Sequence, residues 1–164
     1  MGRIKRIYYN NAVYHISIRG NNKQMILRED LDKIVFLKTL RKFKNRFKFK
    51  LFGFVIMDNH VHLVIETNDS INISKIMQAV ALSYSQKFRH KYNYTGYVWQ
   101  GRFKSNVIDN DRYILECINY IHNNPIRAGV VNSIEEYPWS SYNFYNNNCT
   151  EQINSLVHID RLDV

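Results

Sequence analysis

The stretch KLFGFVIMDNHVHLVIET, residues 50–67, decides how the chain folds. Its first part, Lys50 to Met57, is short, aromatic-rich and almost continuously apolar, as expected of an interior strand. Asp58-Asn59 is a two-residue turn signal, and His60 to Thr67 resumes a strand, so the stretch reads as a hairpin. Residues two apart on a strand face the same way. His60 and His62 therefore project together, with Val64 and Glu66 further along that face. Val61, Leu63 and Ile65 project to the other face, which is apolar and suited to packing against helices.

Upstream of the hairpin, Tyr14, Ile16 and Ile18 alternate with His15, Ser17 and Arg19, which makes Ala12 to Arg19 a strand. Arg19-Gly20-Asn21-Asn22 is a turn. A helix follows from about Glu29 to Phe47, with Phe36, Leu40, Phe43 and Phe47 on one stripe and Lys38, Arg41, Lys42 and Arg46 opposite. Downstream, Ile73, Ile76, Met77, Val80, Tyr84 and Phe88 trace a second amphipathic helix ending near Tyr92. Gly96 and Gly101 bracket a loop, and Arg102 to Asp109 reads as a fourth strand. A third helix begins near Asn110, turns Ile114, Leu115, Ile118 and Ile121 inward, and must stop by Pro125. The order β-α-β-β-α-β plus a helix matches the ferredoxin-like split βαβ plan, an α+β fold with an antiparallel sheet. Both crossover helices then share one sheet face, and the other is free for a ligand or the extra helix. The domain spans 12–142, behind a basic arm (1–11) and ahead of a tail (143–164).

Composition narrows the function classes. Of the net charge of +9, the first fifty residues hold 14 Lys or Arg against 3 Asp or Glu, whereas residues 101–164 hold 5 against 8. Such asymmetry favours a polyanionic partner, because neutralised phosphates release condensed counterions; a solvated basic helix face is the plainer reading of part of it. Two cysteines, Cys117 and Cys149, exclude a disulfide scaffold and a four-cysteine zinc module. No apolar run is long enough for a transmembrane helix, and the first residues are too short on apolar side chains for a signal peptide. A cytoplasmic protein with no membrane partner is expected.

Two imidazoles at the His60/His62 spacing can chelate one divalent cation, although a strand with two half-exposed polar histidines would look the same. Tyr120 and Asn124 lie four apart and share a helical face beside the apolar stripe of the third helix. Docked on the sheet, that helix would hold Tyr120 close to the sheet surface, and the Asn124 amide oxygen is a third, harder type of donor. The competing reading makes Asn124 a helix cap before Pro125 and Tyr120 a packing residue. Arg3, Lys5 and Arg6 stand beside Tyr8 and Tyr9, a mixture suited to phosphate contact and base stacking. Arg102 and Lys104 share a strand face with Asn106, toward the histidines. Arg127 follows the tyrosine helix, as a substrate contact or a charge partner for the helix end. Cys117 reads as a core residue. His122 reads as facing the polar side of its helix, away from Tyr120. Glu66 lies about 13 Å from His62 along an extended strand, too far for a shared ligand.

Four blocks of the chain resemble a known family. Met57-Asp58-Asn59-His60-Val61-His62-Leu63-Val64 is similar to the HUH motif of the IS200-like single-tyrosine (Y1) transposases. Trp99 to Ser105 resembles the next block, Tyr120 to Gly129 the block with the catalytic tyrosine, and Tyr137 to Tyr142 the closing block. The form Asn124-Pro125-Ile126-Arg127-Ala128-Gly129 is nearest the REP-associated tyrosine transposases, domesticated relatives that act on palindromic repeats. The resemblance implies the HUH endonuclease fold and a metal-dependent endonuclease and strand transferase acting on single-stranded DNA hairpins. It implies Tyr120 as nucleophile, giving a 5′-phosphotyrosine, and His60 and His62 as ligands of Mg²⁺ or Mn²⁺ with Asn124 as the third. It also implies that the N-terminal arm helps read sequence beside the hairpin, and it leaves monomer and homodimer open. The alternatives are a catalytically silent single-strand binding module on the same plan, which would expose aromatics rather than histidines, and an HUH replication initiator.

Overall fold

In the computed structural model, residues 7–146 and 154–162 are described. Strands β1 (Val13–Arg19), β2 (Lys50–Ile56), β3 (His60–Glu66) and β4 (Lys104–Ile108) form one sheet in the order β2-β3-β1-β4. Every neighbouring pair is antiparallel. Helices α1 (Asp30–Phe47) and α2 (Ile73–Tyr92) pair with each other, and α3 (Asp111–His122) lies against β2, β3 and β4. Short helical turns α4 (Asn124–Arg127) and α5 (Tyr142–Tyr145) follow. The expected split βαβ plan, with crossover helices on one face and the tyrosine helix on the other, is the observed one.

Local chemistry sets the element ends. Asn72 and Asn110 cap α2 and α3 by accepting from Lys75 N and Tyr113 N. At the start of α1 the Asp32 carboxylate accepts from Glu29 N at 3.1 Å, and at its end the Asn68 amide donates to the Phe47 and Lys48 carbonyls. The alternation in β1 and β3 sends Tyr14, Ile16, Ile18, Val61, Leu63 and Ile65 into the buried layer with Phe36, Leu40, Met77, Val80 and Tyr84. Tyr92 OH and Lys91 Nζ both donate to the buried Asp32 carboxylate at 2.7 Å, tying the end of α2 to the start of α1.

Several expectations need correction. The apolar run Lys50–Met57 is not an interior strand, since β2 forms the edge of the sheet. It is buried because other segments cover it. Ile56 N donates to Trp139 O, Ser141 N to Phe54 O, Leu51 N to the Asp160 carboxylate and Asp160 N to Leu51 O. Trp139, Ser141 and Asp160 thus satisfy backbone groups that an edge strand otherwise leaves open. Of the expected tail, Tyr145 bonds to Phe52 O, and Leu156 and Val157 are buried. The fourth strand begins at Lys104 rather than Arg102, and α3 ends at His122, two residues before Asn124. Leu115 turns outward, 45% exposed, while Ile114, Ile118 and Ile121 are buried as expected. His122 does not face the polar side: it is buried and bonds to Ser141 Oγ at 2.7 Å.

Two glycines permit close approaches that place the site. A Cβ on Gly20 would lie 2.4 Å from Gln24 O, so only glycine fits the turn after β1. That turn donates Gly20 N to Asn59 O at 2.8 Å and thereby anchors the loop just before His60. A Cβ on Gly53 would lie 3.3–3.4 Å from Ile118, Ile121 and Ser141, so its absence lets α3 settle on the sheet.

Candidate active site

Sheet register gathers the polar residues of the α3-side face. Arg19 is opposite His60, Ser17 opposite His62 and His15 opposite Val64, with Lys104 beside Ser17 and Asn106 beside His15. Cross-strand partners share a face, so β1, β3 and β4 pool their outward side chains there. The His60 and His62 rings stand 5.2 Å apart between centroids, nearly perpendicular. His15 joins them: its ring lies 5.1 Å from that of His62, and His15 Nε2 and His62 Nδ1 share a hydrogen bond of 2.9 Å.

Over this floor α3 holds Tyr120. Its ring meets His15 and His62 edge-on, with centroids 6.2 and 6.4 Å away, and remains 45% exposed. The Arg127 guanidinium, carried by α4, lies 4.7 Å from the centre of the Tyr120 ring, a cation–π contact. Asn124 caps α3 with its amide nitrogen, donating to Tyr120 O at 3.1 Å and Ile121 O at 3.2 Å. The capping role and a ligand role are compatible, because both bonds engage the nitrogen and spare the amide oxygen.

Beside the histidines opens a cavity of about 400 Å³ lined by Ser17, Arg19, His60, His62, Gln100, Arg102 and Lys104. The loop before β4 delivers two of these, Gln100 and Arg102, and β4 itself delivers Lys104. Trp99 is buried and donates its indole N–H to Ala81 O at 3.0 Å, and Gln100 N donates to Arg19 O at 2.8 Å. With that anchor in place, Gln100 and Arg102 come alongside the end of β1. Three cations around one cavity make it a suitable seat for a phosphate.

Burial keeps the imidazoles neutral. His62 is pushed down to about 3 by burial and secondarily by the neighbouring His15 and His60. His60 is lowered by burial and then by Arg19, and His15 by burial. Neutral imidazoles are the ligating form. His60 Nδ1–H donates to Asn59 Oδ1 at 2.6 Å, and His62 Nδ1 is engaged by His15, so each ring has Nε2 left for a cation. Oriented rings of this kind are what metal-ligating histidines carry. Among the described residues no group of three or more His, Cys, Asp or Glu side chains is arranged to hold a metal. A cation here would rest on two imidazole nitrogens and oxygen donors, a mixed set open to a divalent ion. The residues present fit such an ion.

The sequence-derived candidates thus separate. His60, His62, Tyr120, Arg102, Lys104 and Arg127 converge on one face, with Asn124 one turn beyond Tyr120. Arg3, Lys5 and Arg6 lie outside the described residues. Glu66 pairs with Lys50 at 3.3 Å, away from the histidines. His15, Arg19 and Gln100 are the members that sequence reading missed. The alternation of β1 already put His15 and Arg19 on its polar face, but only the β1–β3 register brings them to His62 and His60.

Comparison with known proteins places the chain in a family. The model of the IS200-like transposase family matches residues 8–124. A Haemophilus influenzae protein assigned as a REP-associated tyrosine transposase is 24% identical over 135 residues, covering 71% of this chain and 76% of its own. A solved REP-associated tyrosine transposase bound to a REP hairpin superposes with a TM-score of 0.72 at 19% identity, over 100% of this chain and 93% of that one. A transposase-assigned structure from Deinococcus radiodurans gives 0.51 at 15% identity, over 75% and 95%. With the family match spanning well over half its length, and REP-associated relatives in both sequence and fold, this chain belongs to the IS200-like transposases.

Proposed function

We propose that this transposase cuts and rejoins single-stranded DNA beside hairpin elements through a covalent 5′-phosphotyrosine on Tyr120. The observation that carries the reading is the seating of Tyr120 over His15 and His62, where His62 also lines a cavity flanked by Arg19, Arg102 and Lys104. A nucleophile, a pair of neutral imidazoles and a cationic seat meet on one face, whereas a silent binding module would need exposed aromatics there. The solved relative bound to a REP hairpin supports a palindromic hairpin as the substrate.

In this reading the scissile phosphate enters the cavity, and Arg19, Arg102 and Lys104 hold its non-bridging oxygens and the adjoining backbone. His60 and His62, with the Asn124 oxygen, would hold Mg²⁺ or Mn²⁺. Such a cation, when bound, polarises a phosphate oxygen and steadies the 3′ leaving oxygen. Tyr120 Oη attacks phosphorus, the P–O3′ bond breaks, the phenol proton passes to solvent and the departing 3′ oxygen takes one from water. Arg127, above the ring, steadies the Tyr120 side chain through its cation–π contact. The phosphotyrosine conserves the ester, so attack by another 3′-OH rejoins DNA and returns the tyrosine without ATP.

The test is a labelled library of hairpin-bearing single strands incubated with Mg²⁺ or Mn²⁺, scored for a denaturation-resistant adduct. Wild type should form one only with metal, and Tyr120→Phe and His62→Ala should not. Binding without an adduct in all three proteins would instead support the silent module, and an adduct surviving Tyr120→Phe would move the nucleophile elsewhere.

A further inference from the structure

His15 belongs to no motif block, yet it is the residue bonded to His62. It sits diagonally across the β1–β3 ladder from His62, within reach of an aromatic side chain. The two rings are nearly parallel, 19° apart, and His15 Nε2 lies 2.9 Å from His62 Nδ1. One proton occupies that bond, and it can belong to either ring. If His15 donates it, neutral His62 carries its own proton on Nε2 and presents a donor to the cavity. If His62 donates it, Nε2 presents a lone pair. His60 meets the same choice differently: its Nδ1 faces the Asn59 amide oxygen, which can only accept, so its Nε2 is bare.

We propose that His15 is a positioning residue that accepts the Nδ1–H of His62 and so holds His62 in the tautomer whose Nε2 lone pair faces the cation seat. The purpose of this tautomer rests on the metal reading above; its existence does not. His60 and His62 then form a matched pair, each with Nδ1–H tied to an acceptor, one from the hairpin turn and one from the neighbouring strand. Because the acceptor for His62 is itself an imidazole, that arm of the pair depends on a residue outside the two-histidine motif.

The test uses ¹⁵N-histidine-labelled full-length protein as wild type, His15→Phe and His15→Gln. Long-range ¹H–¹⁵N spectra without metal report the His62 tautomer, Mn²⁺ titration reports affinity, and thermal melting confirms folding. Wild type should show His62 as Nδ1–H. His15→Phe keeps an aromatic ring without an acceptor, so His62 should shift toward Nε2–H and Mn²⁺ affinity should fall about 10- to 100-fold. His15→Gln supplies an amide oxygen, and should restore the tautomer and bring affinity back to within about threefold. A His62 Nε2–H signal in wild type overturns the proposal, as does equal Mn²⁺ affinity in wild type and a folded His15→Phe. Wild-type protein that binds no Mn²⁺ defeats the metal reading, while the tautomer spectrum still decides the role of His15.

Discussion

Two histidines of this protein are almost equally buried, and only one sits in the candidate active site. His62 is 9% exposed and His122 3%. Burial lowers both, to about 3 and about 4, and each shares one short hydrogen bond through a ring nitrogen. The surroundings differ. His62 lines the larger cavity beside Arg19, Arg102 and Lys104, under the ring of Tyr120. The partner of His122 is Ser141, a fully buried hydroxyl that also bonds to Phe54 N and Phe54 O, so this imidazole clamps α3 to the segment covering β2. The space on its other side, about 240 Å³, is lined by Leu115, Ile118, Asn119, Tyr142, Tyr145 and Asn146, none of them charged. A depressed pKa records burial and neighbouring charge, not function. What separates a working imidazole from a structural one is the chemistry gathered around its second nitrogen.

Substitutions can break this contrast. His62→Ala should cut adduct formation by at least about a hundredfold, the upper end of what loss of a supporting metal-site partner costs, while the melting temperature stays near that of wild type. His122→Ala should reverse the pattern. It leaves a cavity and removes a buried hydrogen bond, costing roughly 2–4 kcal/mol in denaturant unfolding, with adduct formation per folded molecule retained. An inactive but stable His122→Ala protein would erase the distinction.

Acid sharpens it next. The folded-state pKa of His122 lies below the ordinary 6.5, so the unfolded chain binds the extra proton first as pH falls. Stability is therefore full above about 6.5 and declines toward about 4, by roughly 3 kcal/mol from this group. His15, His60 and His62 shift in the same direction and steepen the loss. Urea unfolding between pH 7 and pH 4 should show the decline, and His122→Leu should reduce it by the share of that group, leaving the part due to His15, His60 and His62.

Smaller effects follow at the cations and at the junction of the two regions. Arg102→Gln and Lys104→Gln should each lower the salt slope of single-stranded DNA binding by about 0.7, with unfolding unchanged. Gly53→Ala should cost about 1 kcal/mol, because its Cβ would press on Ile118, Ile121 and Ser141. Since these residues carry both the Tyr120 helix and the His122 clamp, adduct formation should fall along with stability. An unchanged rate would show that Tyr120 tolerates a shift of its helix.

Much of the site was legible because its signals are local. His60 and His62 share a face by the period of a strand, and Tyr120 and Asn124 by the period of a helix. The element order was legible for the same reason, since alternation in β1 and β3 and apolar stripes in α1, α2 and α3 are properties of short windows. The burial of β2 shows where this fails. An apolar run looks the same whether a strand lies between two others or at an edge sealed by distant residues, and Trp139, Ser141 and Asp160 seal this edge from more than eighty positions away. His122 was misread likewise, because its partner Ser141 belongs to that segment.

By itself the sequence determined the α+β plan, the histidine pair, the tyrosine helix and the family blocks, all carried by residues within a few turns or one hairpin of each other. The tertiary structure alone decided that His15 and Arg19 stand beside His62 and His60, that Trp99 delivers Gln100 and Arg102 to the same cavity, and that Arg127 covers Tyr120. These depend on strand register and loop anchoring between segments far apart in the chain, and a one-residue slip in pairing would turn every such side chain to the other face.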